Sequence, residues 1–357
     1  MNSVAAIADG HAPRPQRGSL NPPGHFHGIH AGLSHGAIHL AIGTSLAHPN
    51  FLLGCAQPIS CRSRDWDTDK TTMALHAHYP DVLVAGENVM NLISAGARPI
   101  QVDLDPEAYC QGHIPGATSW DWEKKLRNQS SLEILSKREF EVLMEESGIT
   151  PSTLVILYGD NNNWFACWAF WMMHLYGHTN VRLIDGGMRK WINSGHPLDA
   201  EEPTFPKTEY QAADAALESK ASIENIFESF FNPDTHRLLD VRSAAEFQGK
   251  LMSPGVGTQA KCEIAGHIPT AINVPWNLNC NVDGTFKTPE ELRALYACFD
   301  ILPEMNVITY CAIGERASLS WFVLKHLIGY NVVMNYDRSM AQWSRIANAP
   351  ISTGEAA

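Results

Sequence analysis

The sequence predicts an α/β protein of two similar domains, each a parallel β-sheet covered by helices on both faces. Short apolar runs alternate with helical patterns along the chain, which is the order of elements expected of βαβ units. One stretch also recurs without a gap 152 positions later, so that Tyr158 returns as Tyr310 and Trp191 as Trp343. The length of 357 residues fits two such domains.

The elements of the first copy follow in order from its apolar patterns. Residues 81–84 predict the first strand, and 155–158 predict a short buried strand. A helical apolar run covers 164–176, and 180–184 predict another strand. A glycine-containing turn and a helix that ends near Trp191 complete this copy.

The second copy repeats this order. Residues 307–310 predict a strand that leads through a tight loop into a helix over 317–327. Upstream, the motif Gly-His-Ile-Pro at 112–115 recurs at 266–269. The repeat therefore extends beyond the stretch that matches without a gap.

The repeat divides the chain into domains. We expect one domain over 81–200, an exposed polar linker over 201–221, and a second domain over 222–355. A segment with Gly and Pro between Gln248 and Glu263 predicts a surface loop in the second domain.

Residues 1–80 differ from the rest of the chain. They are rich in Gly, Pro and His, and show no helical or strand period. A metal-binding arm is one interpretation, but the histidine spacing is irregular, so we expect a disordered extension. Met73 precedes the first predicted strand, which suggests that the native chain starts there and that 1–72 are an upstream extension.

Composition excludes several classes of function. The formal net charge of −12 argues against nucleic acid or an acidic membrane surface as partner. No run of eighteen apolar residues predicts a transmembrane helix. The eight cysteines form neither a CxxC pair nor a zinc-ligand pattern, so we expect reduced thiols in a cytoplasmic protein without metal or cofactor.

One cysteine lies where chemistry is expected. Cys311 ends a predicted strand, and ligands of parallel sheets bind at the carboxyl ends of strands. The loop amides and the positive end of the next helix would face its sulfur, and Arg316 adds a cation. Gly314 lets the loop turn. These features predict a nucleophile held as a thiolate.

The first copy provides an internal control. Gly159 stands where the second copy has Cys311, and three asparagines, 161–163, replace the loop. The first domain therefore has no nucleophile, and we expect it to wall one side of the active-site cleft. Trp164 and the asparagines are the candidates to face that cleft.

These motifs resemble those of the tandem-domain rhodanese family, the thiosulfate and 3-mercaptopyruvate sulfurtransferases. The resemblance covers residues 81–355. It rests on the sequences Asp-Val-Arg at 240–242, Gly-His-Ile-Pro at 266–269, Tyr-Cys at 310–311 with a six-residue loop, and Asn-Tyr-Asp at 335–337. The loop Cys-Ala-Ile-Gly-Glu-Arg is most similar to that of actinobacterial-type thiosulfate sulfurtransferases.

The resemblance implies a mechanism in two half-reactions. The Cys311 thiolate takes the outer sulfur of a donor such as thiosulfate, and sulfite leaves. The persulfide rests in the cradle of Ala312, Ile313, Gly314, Glu315 and Arg316 until cyanide or a thiol, on a small molecule or on a protein, accepts the sulfur.

Departures from the family pattern concern the donor. Ala312 follows the nucleophile where the nearest relatives carry Arg, Arg338 and Met340 replace Gly and Trp, and Glu246 stands where some relatives have a substrate-binding Arg. Arg338 either restores the lost charge or is a solvated surface residue.

Further residues near the motifs have two interpretations each. Asp240 and Arg242 could support catalysis, although a structural ion pair is the preferred role. His267 has a twin, His113, in the copy without a nucleophile, which favours a structural role. Glu315 is either a base or the counter-charge of Arg316.

Three alternatives remain open. A 3-mercaptopyruvate donor would keep the mechanism, and a pathway-specific persulfide carrier would lack steady turnover. A phosphatase or arsenate reductase needs Cys-x5-Arg, but the residue six positions after Cys311 is Ala317. The shorter loop suits one sulfur atom better than phosphate.

Overall fold

The computed structural model describes residues 82–128, 133–253 and 262–354, which all belong to one compact unit. The predicted extension over 1–80 and the proposed start at Met73 lie outside the described residues.

The first domain has a five-stranded parallel sheet. The strands are ordered β1-β5-β4-β2-β3, and all the pairs are parallel. Its elements are β1 (Leu83–Val84), α1 (Gly86–Ser94), β2 (Arg98–Asp103), α2 (Pro106–Gln111), β3 (Thr118–Asp121), α3 (Trp122–Lys125), α4 (Lys137–Glu146), β4 (Val155–Tyr158), α5 (Trp164–Leu175), β5 (Val181–Ile184) and α6 (Gly187–Asn193).

The second domain repeats this plan with a four-stranded parallel sheet, β7-β6-β8-β9. A parallel bridge between Lys220 and Asn335 takes the edge position that β1 has in the first domain. The elements are α7 (Ile223–Phe231), β6 (His236–Asp240), α8 (Ala244–Phe247), β7 (Ile272–Asn273), α9 (Pro289–Cys298), β8 (Asn306–Tyr310), α10 (Glu315–Phe322), β9 (Val332–Asn335) and α11 (Ser339–Trp343). The α/β fold with two parallel sheets is confirmed.

The predicted repeat is visible in single hydrogen bonds. The hydroxyl of Tyr158 accepts the amide hydrogen of Ile114 at 3.1 Å, and the hydroxyl of Tyr310 accepts that of Ile268 at 3.2 Å. These tyrosines each end a central strand and anchor the Gly-His-Ile-Pro motif of their own domain. Both copies thus hold the motif by the same contact.

The histidines of that motif also have matching surroundings. His113 stacks on Tyr109 with ring centroids 3.9 Å apart, and its Nδ1 is 3.0 Å from the Tyr109 carbonyl. His267 stacks on Phe247 at 3.6 Å, with Nδ1 2.7 Å from the Phe247 carbonyl. The same contacts in a copy without a nucleophile support a structural role for both.

The two domains pack through α5 and α10. Phe170 of α5 meets Phe322 of α10 with ring centroids 4.8 Å apart, and His174 meets its repeat twin His326 at 4.7 Å. The helix α5 is buried on nearly every face because one side covers its own sheet and the other covers the second domain.

Two local predictions differ from the structure. The linker over 201–221 is not simply exposed, because Tyr210 packs edge-on against Phe140 of the first domain. The helix after Cys311 begins at Glu315 rather than 317 and changes to a π-helical turn over Val323–Leu327. No described helix is long and apolar enough to cross a membrane.

Candidate active site

Cys311 lies between the central strand β8 and the helix α10, at the carboxyl edge of the second sheet. Its side chain is fully buried. Because a parallel strand, a tight loop and a helix follow one another here, the loop amides are directed at the sulfur. The predicted strand-loop-helix arrangement is present.

The loop forms a cradle around the sulfur. The amide of Gly314 donates a hydrogen bond to Cys311 Sγ at 3.0 Å, and the amides of Ile313 and Ala317 also interact with it. The Cys311 amide in turn donates to Ser339 Oγ at 3.0 Å. Backbone donors therefore surround an atom that would carry negative charge during reaction.

The electrostatics around the resting sulfur favour the thiol over the predicted thiolate. Burial raises the pKa of Cys311, the carboxylate of Glu315 raises it further, and together they bring it to about 12 although Arg316 and the amides oppose them. The thiol donates a hydrogen bond to Glu315 Oε2 at 3.4 Å. The prediction overlooked that a negative charge at the start of the helix cancels its positive end.

Arg316 binds two carboxylates. Its guanidinium forms a bidentate pair with Glu246 at 3.0 and 3.1 Å, and its Nε lies 3.4 Å from Glu315 Oε1. Burial would raise the pKa of Glu246, but Arg316 and the hydroxyls of Ser253 and Ser243 lower it to about 2. The predicted fixed cation is therefore an anchor for the loop, and Glu315 is both the counter-charge of Arg316 and the thiol's acceptor.

Asp240 and Arg242 form a buried ion pair outside the loop that holds the Cys311 sulfur. Arg242 Nη2 lies 2.6 Å from Asp240 Oδ2 and also donates to the Gly266 carbonyl. Its Nη1 donates to Ser253 Oγ, and Ser253 donates to Glu246. This chain of contacts supports the preferred structural role and reaches Arg316 through Glu246.

The loop tolerates only glycine at its turn. Gly314 has φ = +99°, a conformation that other residues rarely adopt. A Cβ at this position would overlap the Asp337 carbonyl and lie 2.6 Å from the ring of Trp168. Trp168, on α5 of the first domain, thus contacts the cradle directly.

The remaining loop side chains are buried. Ala312 packs in an apolar cluster with Tyr310 and Met340, while Ile313 belongs to the larger core that includes Trp168. Ala312 therefore contributes shape but no charge.

The first domain cannot hold a nucleophile at the equivalent position. A Cβ on Gly159 would overlap the Val102 carbonyl and lie 3.0 Å from Asp103 Oδ1. Asn163 fills the loop instead, since its amide donates to the Ile184 carbonyl and its oxygen accepts from the Gly159 amide. The side chain of Asn163 therefore serves its own loop rather than the cleft.

The boundary between the domains includes one residue that the sequence indicated, Trp164, and others that it did not. Trp164 was predicted to face the cleft, and its carbonyl accepts a hydrogen bond from Ser318 of α10 at 3.5 Å. Arg338 pairs with Glu133 of the first domain. Trp168 and Arg127, which also lie here, were missed because contacts between domains leave no mark in a local pattern.

The chain is similar to known proteins over both domains. A family model described as "Rhodanese-like domain" matches residues 87–194 and 226–346. A protein of Haloferax volcanii named "Putative thiosulfate sulfurtransferase" is 40% identical over 257 residues, which cover 72% of this chain and 89% of that protein.

Two further proteins are similar to this chain, one in sequence and one in structure. "Sulfur carrier protein TtuD" of Thermus thermophilus is 41% identical over 283 residues, covering 78% of this chain and 99% of the relative. The crystal structure of an anaerobic ergothioneine biosynthesis enzyme from Chlorobium limicola, in complex with trimethyl histidine, superimposes with a TM-score of 0.67 at 27% identity. It covers 77% of this chain and 70% of that one.

Proposed function

The chain belongs to the rhodanese family, and we propose that it is a sulfurtransferase that carries sulfur as a persulfide on Cys311. The observation that carries this is the cradle: a buried thiol with the Gly314 amide 3.0 Å and the Glu315 carboxylate 3.4 Å from its sulfur. The names of the sulfurtransferase and sulfur-carrier relatives agree with a protein that has a sulfur donor and a sulfur acceptor.

In the first half-reaction Cys311 loses its proton and attacks the outer sulfur of the donor. The Glu315 carboxylate, already hydrogen-bonded to the thiol, is placed to accept that proton. With thiosulfate, a new S–S bond forms, the S–S bond of the donor breaks, and sulfite leaves with the electron pair. The terminal sulfur then carries the negative charge that the loop amides stabilise.

In the second half-reaction a nucleophile takes the terminal sulfur. Cyanide or a thiolate attacks it, the persulfide bond breaks, and its electron pair returns to Cys311 Sγ. The thiolate regains its proton, and the enzyme is restored without any oxidant or reductant. The two half-reactions share one site, so ping-pong kinetics are expected.

The first domain is proposed to be catalytically inert. The space at Gly159 does not admit a side chain, and Asn163 occupies the centre of the loop. The proposed contribution of the first domain is structural, because its Trp168 packs beside Gly314 of the catalytic loop.

A persulfide carrier is a second candidate, since one relative is named a sulfur carrier. Such a protein would form the same persulfide but pass it to a protein thiol instead of turning over with small acceptors. The two candidates differ in the acceptor and share the first half-reaction.

The test measures thiocyanate formation from cyanide with thiosulfate and, separately, with 3-mercaptopyruvate. Cys311→Ser is the inactivating variant, and Cys110→Ser, which removes an exposed free thiol, is the matched control. We expect turnover with thiosulfate that Cys311→Ser abolishes and Cys110→Ser leaves unchanged.

Mass spectrometry of the Cys311 peptide after donor treatment separates the alternatives. A mass increase of one sulfur with steady turnover identifies the enzyme, and the same increase without turnover identifies the carrier. Faster turnover with 3-mercaptopyruvate would overturn the thiosulfate assignment, and the absence of any persulfide would refute the proposal.

A further inference from the structure

Two buried thiols lie on opposite sides of the boundary between the domains. Cys167 belongs to α5 of the first domain and is fully buried, and Cys280 of the second domain is 7% exposed. Both are free cysteines, and both belong to the same apolar core. Neither has a part in the chemistry proposed for Cys311.

The aromatic contacts around the two cysteines bring them together. Trp164, one turn before Cys167 on α5, meets Trp276 of the second domain with ring centroids 4.7 Å apart. Trp276 begins a 3-10 turn, Trp276–Asn279, and Cys280 follows that turn directly. Because three residues of α-helix advance about 4.5 Å along the axis, each cysteine lies one short step from the same tryptophan pair.

A second set of contacts leads to the same place. Phe286 pairs with Cys280 in an antiparallel bridge, and its ring lies 5.4 Å from that of Phe322. Phe322 in turn lies 4.8 Å from Phe170, which is three residues after Cys167 and on the same face of α5. Burial raises the pKa of the Cys167 thiol, and the nearby Cys280 raises it further. The two thiols are therefore neighbours.

The repeat shows that packing at this place does not require sulfur. The offset of 154 between the two Gly-His-Ile-Pro motifs relates Leu126 to Cys280, and the offset of 152 relates Cys167 to Leu319. Both leucines are fully buried in the same core. Since a buried cysteine otherwise packs as a small apolar residue, its reactivity is what distinguishes it from leucine.

We propose that Cys167 and Cys280 form a disulfide under oxidation by peroxide, and that this bond joins the two domains covalently. The inference is independent of the reaction proposed for Cys311. Cys280, the thiol nearer the surface, reacts first: its sulfur attacks the peroxide, the O–O bond breaks, and a sulfenic acid and water form. The Cys167 sulfur then attacks the Cys280 sulfur, so that the S–S bond forms and the S–O bond breaks with loss of a second water. Two thiols are oxidised, and one peroxide is reduced to two waters.

Other contacts already hold the segment after Cys280 against the first domain. Lys190 of α6 forms an ion pair with Asp283 at 2.7 Å, and the Phe286 amide donates to Asp185 at 2.9 Å. The thiols therefore stay close in the native protein, and the disulfide needs no large rearrangement. Burial raises the pKa of Cys280 to about 12, which keeps the pair reduced until an oxidant is in excess.

The test treats the whole protein with excess hydrogen peroxide, blocks the remaining thiols with iodoacetamide in denaturant, and digests without reduction. We expect a linked peptide pair that joins Cys167 to Cys280 and that dithiothreitol separates. Cys110→Ser, which removes an exposed free thiol, is the matched control and should form the same link. In Cys167→Ser and in Cys280→Ser the link should be lost.

Unfolding in urea gives a second readout. The bond closes a loop of about 110 residues, so the oxidised wild type should have an equilibrium constant of unfolding roughly a thousandfold smaller than the same sample reduced again with dithiothreitol. In Cys167→Ser and Cys280→Ser this difference between the oxidised and re-reduced samples should be absent.

Three results would overturn the proposal. One is the absence of the link in protein whose Cys110 has been oxidised, because that oxidation shows that the peroxide has acted. Another is a link from Cys167 or Cys280 to a different cysteine. The third is a link without any stabilisation, which indicates that it forms only in distorted molecules. A protein that forms no Cys311 persulfide yet links Cys167 to Cys280 would refute the proposed function and leave the disulfide standing.

Discussion

Replacing Glu315 by Gln tests the electrostatics of the cradle most directly. The substitution keeps the shape of the side chain and removes one negative charge 3.4 Å from Cys311 Sγ. At this distance, with an effective dielectric constant of about 20, Coulomb's law gives roughly 5 kcal/mol between a thiolate and the carboxylate. At about 1.36 kcal/mol per pH unit, the thiol pKa should fall by roughly three to four pH units.

The pKa of Cys311 in the wild type is about 12 because of burial and Glu315. In Glu315→Gln we therefore expect a thiol pKa of about 8 to 9, and alkylation by iodoacetamide at pH 8 about a hundredfold faster or more. The assay follows modification of the Cys311 peptide by mass spectrometry across the pH range. Arg316 keeps its bidentate pair with Glu246, so the loop should stay anchored.

Glu290→Gln is the control, since it removes an equally large charge from a 75% exposed side chain of the same domain. Its profile should coincide with that of the wild type. A Cys311 profile in Glu315→Gln that is unchanged, or that moves to higher pH, would refute the assignment of Glu315 as the group that keeps the thiol protonated.

Three further predictions concern stability and the shape of the loop. Gly314→Ala should abolish turnover and lower the melting temperature, because its Cβ overlaps the opposite backbone at φ = +99°; an active, equally stable variant would contradict this. Protonation of Glu246, which is buried and paired with Arg316, should lower the free energy of unfolding by about 3 kcal/mol as pH falls from about 4.5 towards 2, measured with urea. In Glu246→Gln this acid-dependent loss should be absent. Phe170→Ala should lower the free energy of unfolding by about 3–5 kcal/mol because it opens a cavity between the domains, whereas Phe231→Ala, 81% exposed, should change it little; equal values for both would show that the interface contributes nothing.

The sequence predicted the fold well because its main evidence was a repeat. A single offset relates Tyr158 to Tyr310, and both hydroxyls make the same contact with their own domain. Alternating short strands and helices leave few topologies for such a unit. The position of Cys311 at the carboxyl end of β8 followed from that topology.

The protonation state was not predictable from the same pattern. Amides and a helix start favour a thiolate, and Arg316 was expected to add to that effect. The outcome depends on the direction of Glu315, four residues after Cys311, and on Glu246, which binds the guanidinium from another part of the chain. A linear motif specifies neither of these directions.

Contacts between the domains could not be predicted from the sequence for a similar reason. Trp168 lies on a helix that is apolar on all sides, so its pattern indicates burial without indicating what covers it.

The contact of Trp168 with Gly314 has a consequence for the history of such a duplicated chain. Under the proposed function, natural selection on the reaction at Cys311 extends to the first copy, because Trp168 of that copy shapes the cradle of the other. The two halves are thus not exchangeable modules. A descendant that kept only the catalytic half would have to rebuild the missing wall or obtain it from a second molecule.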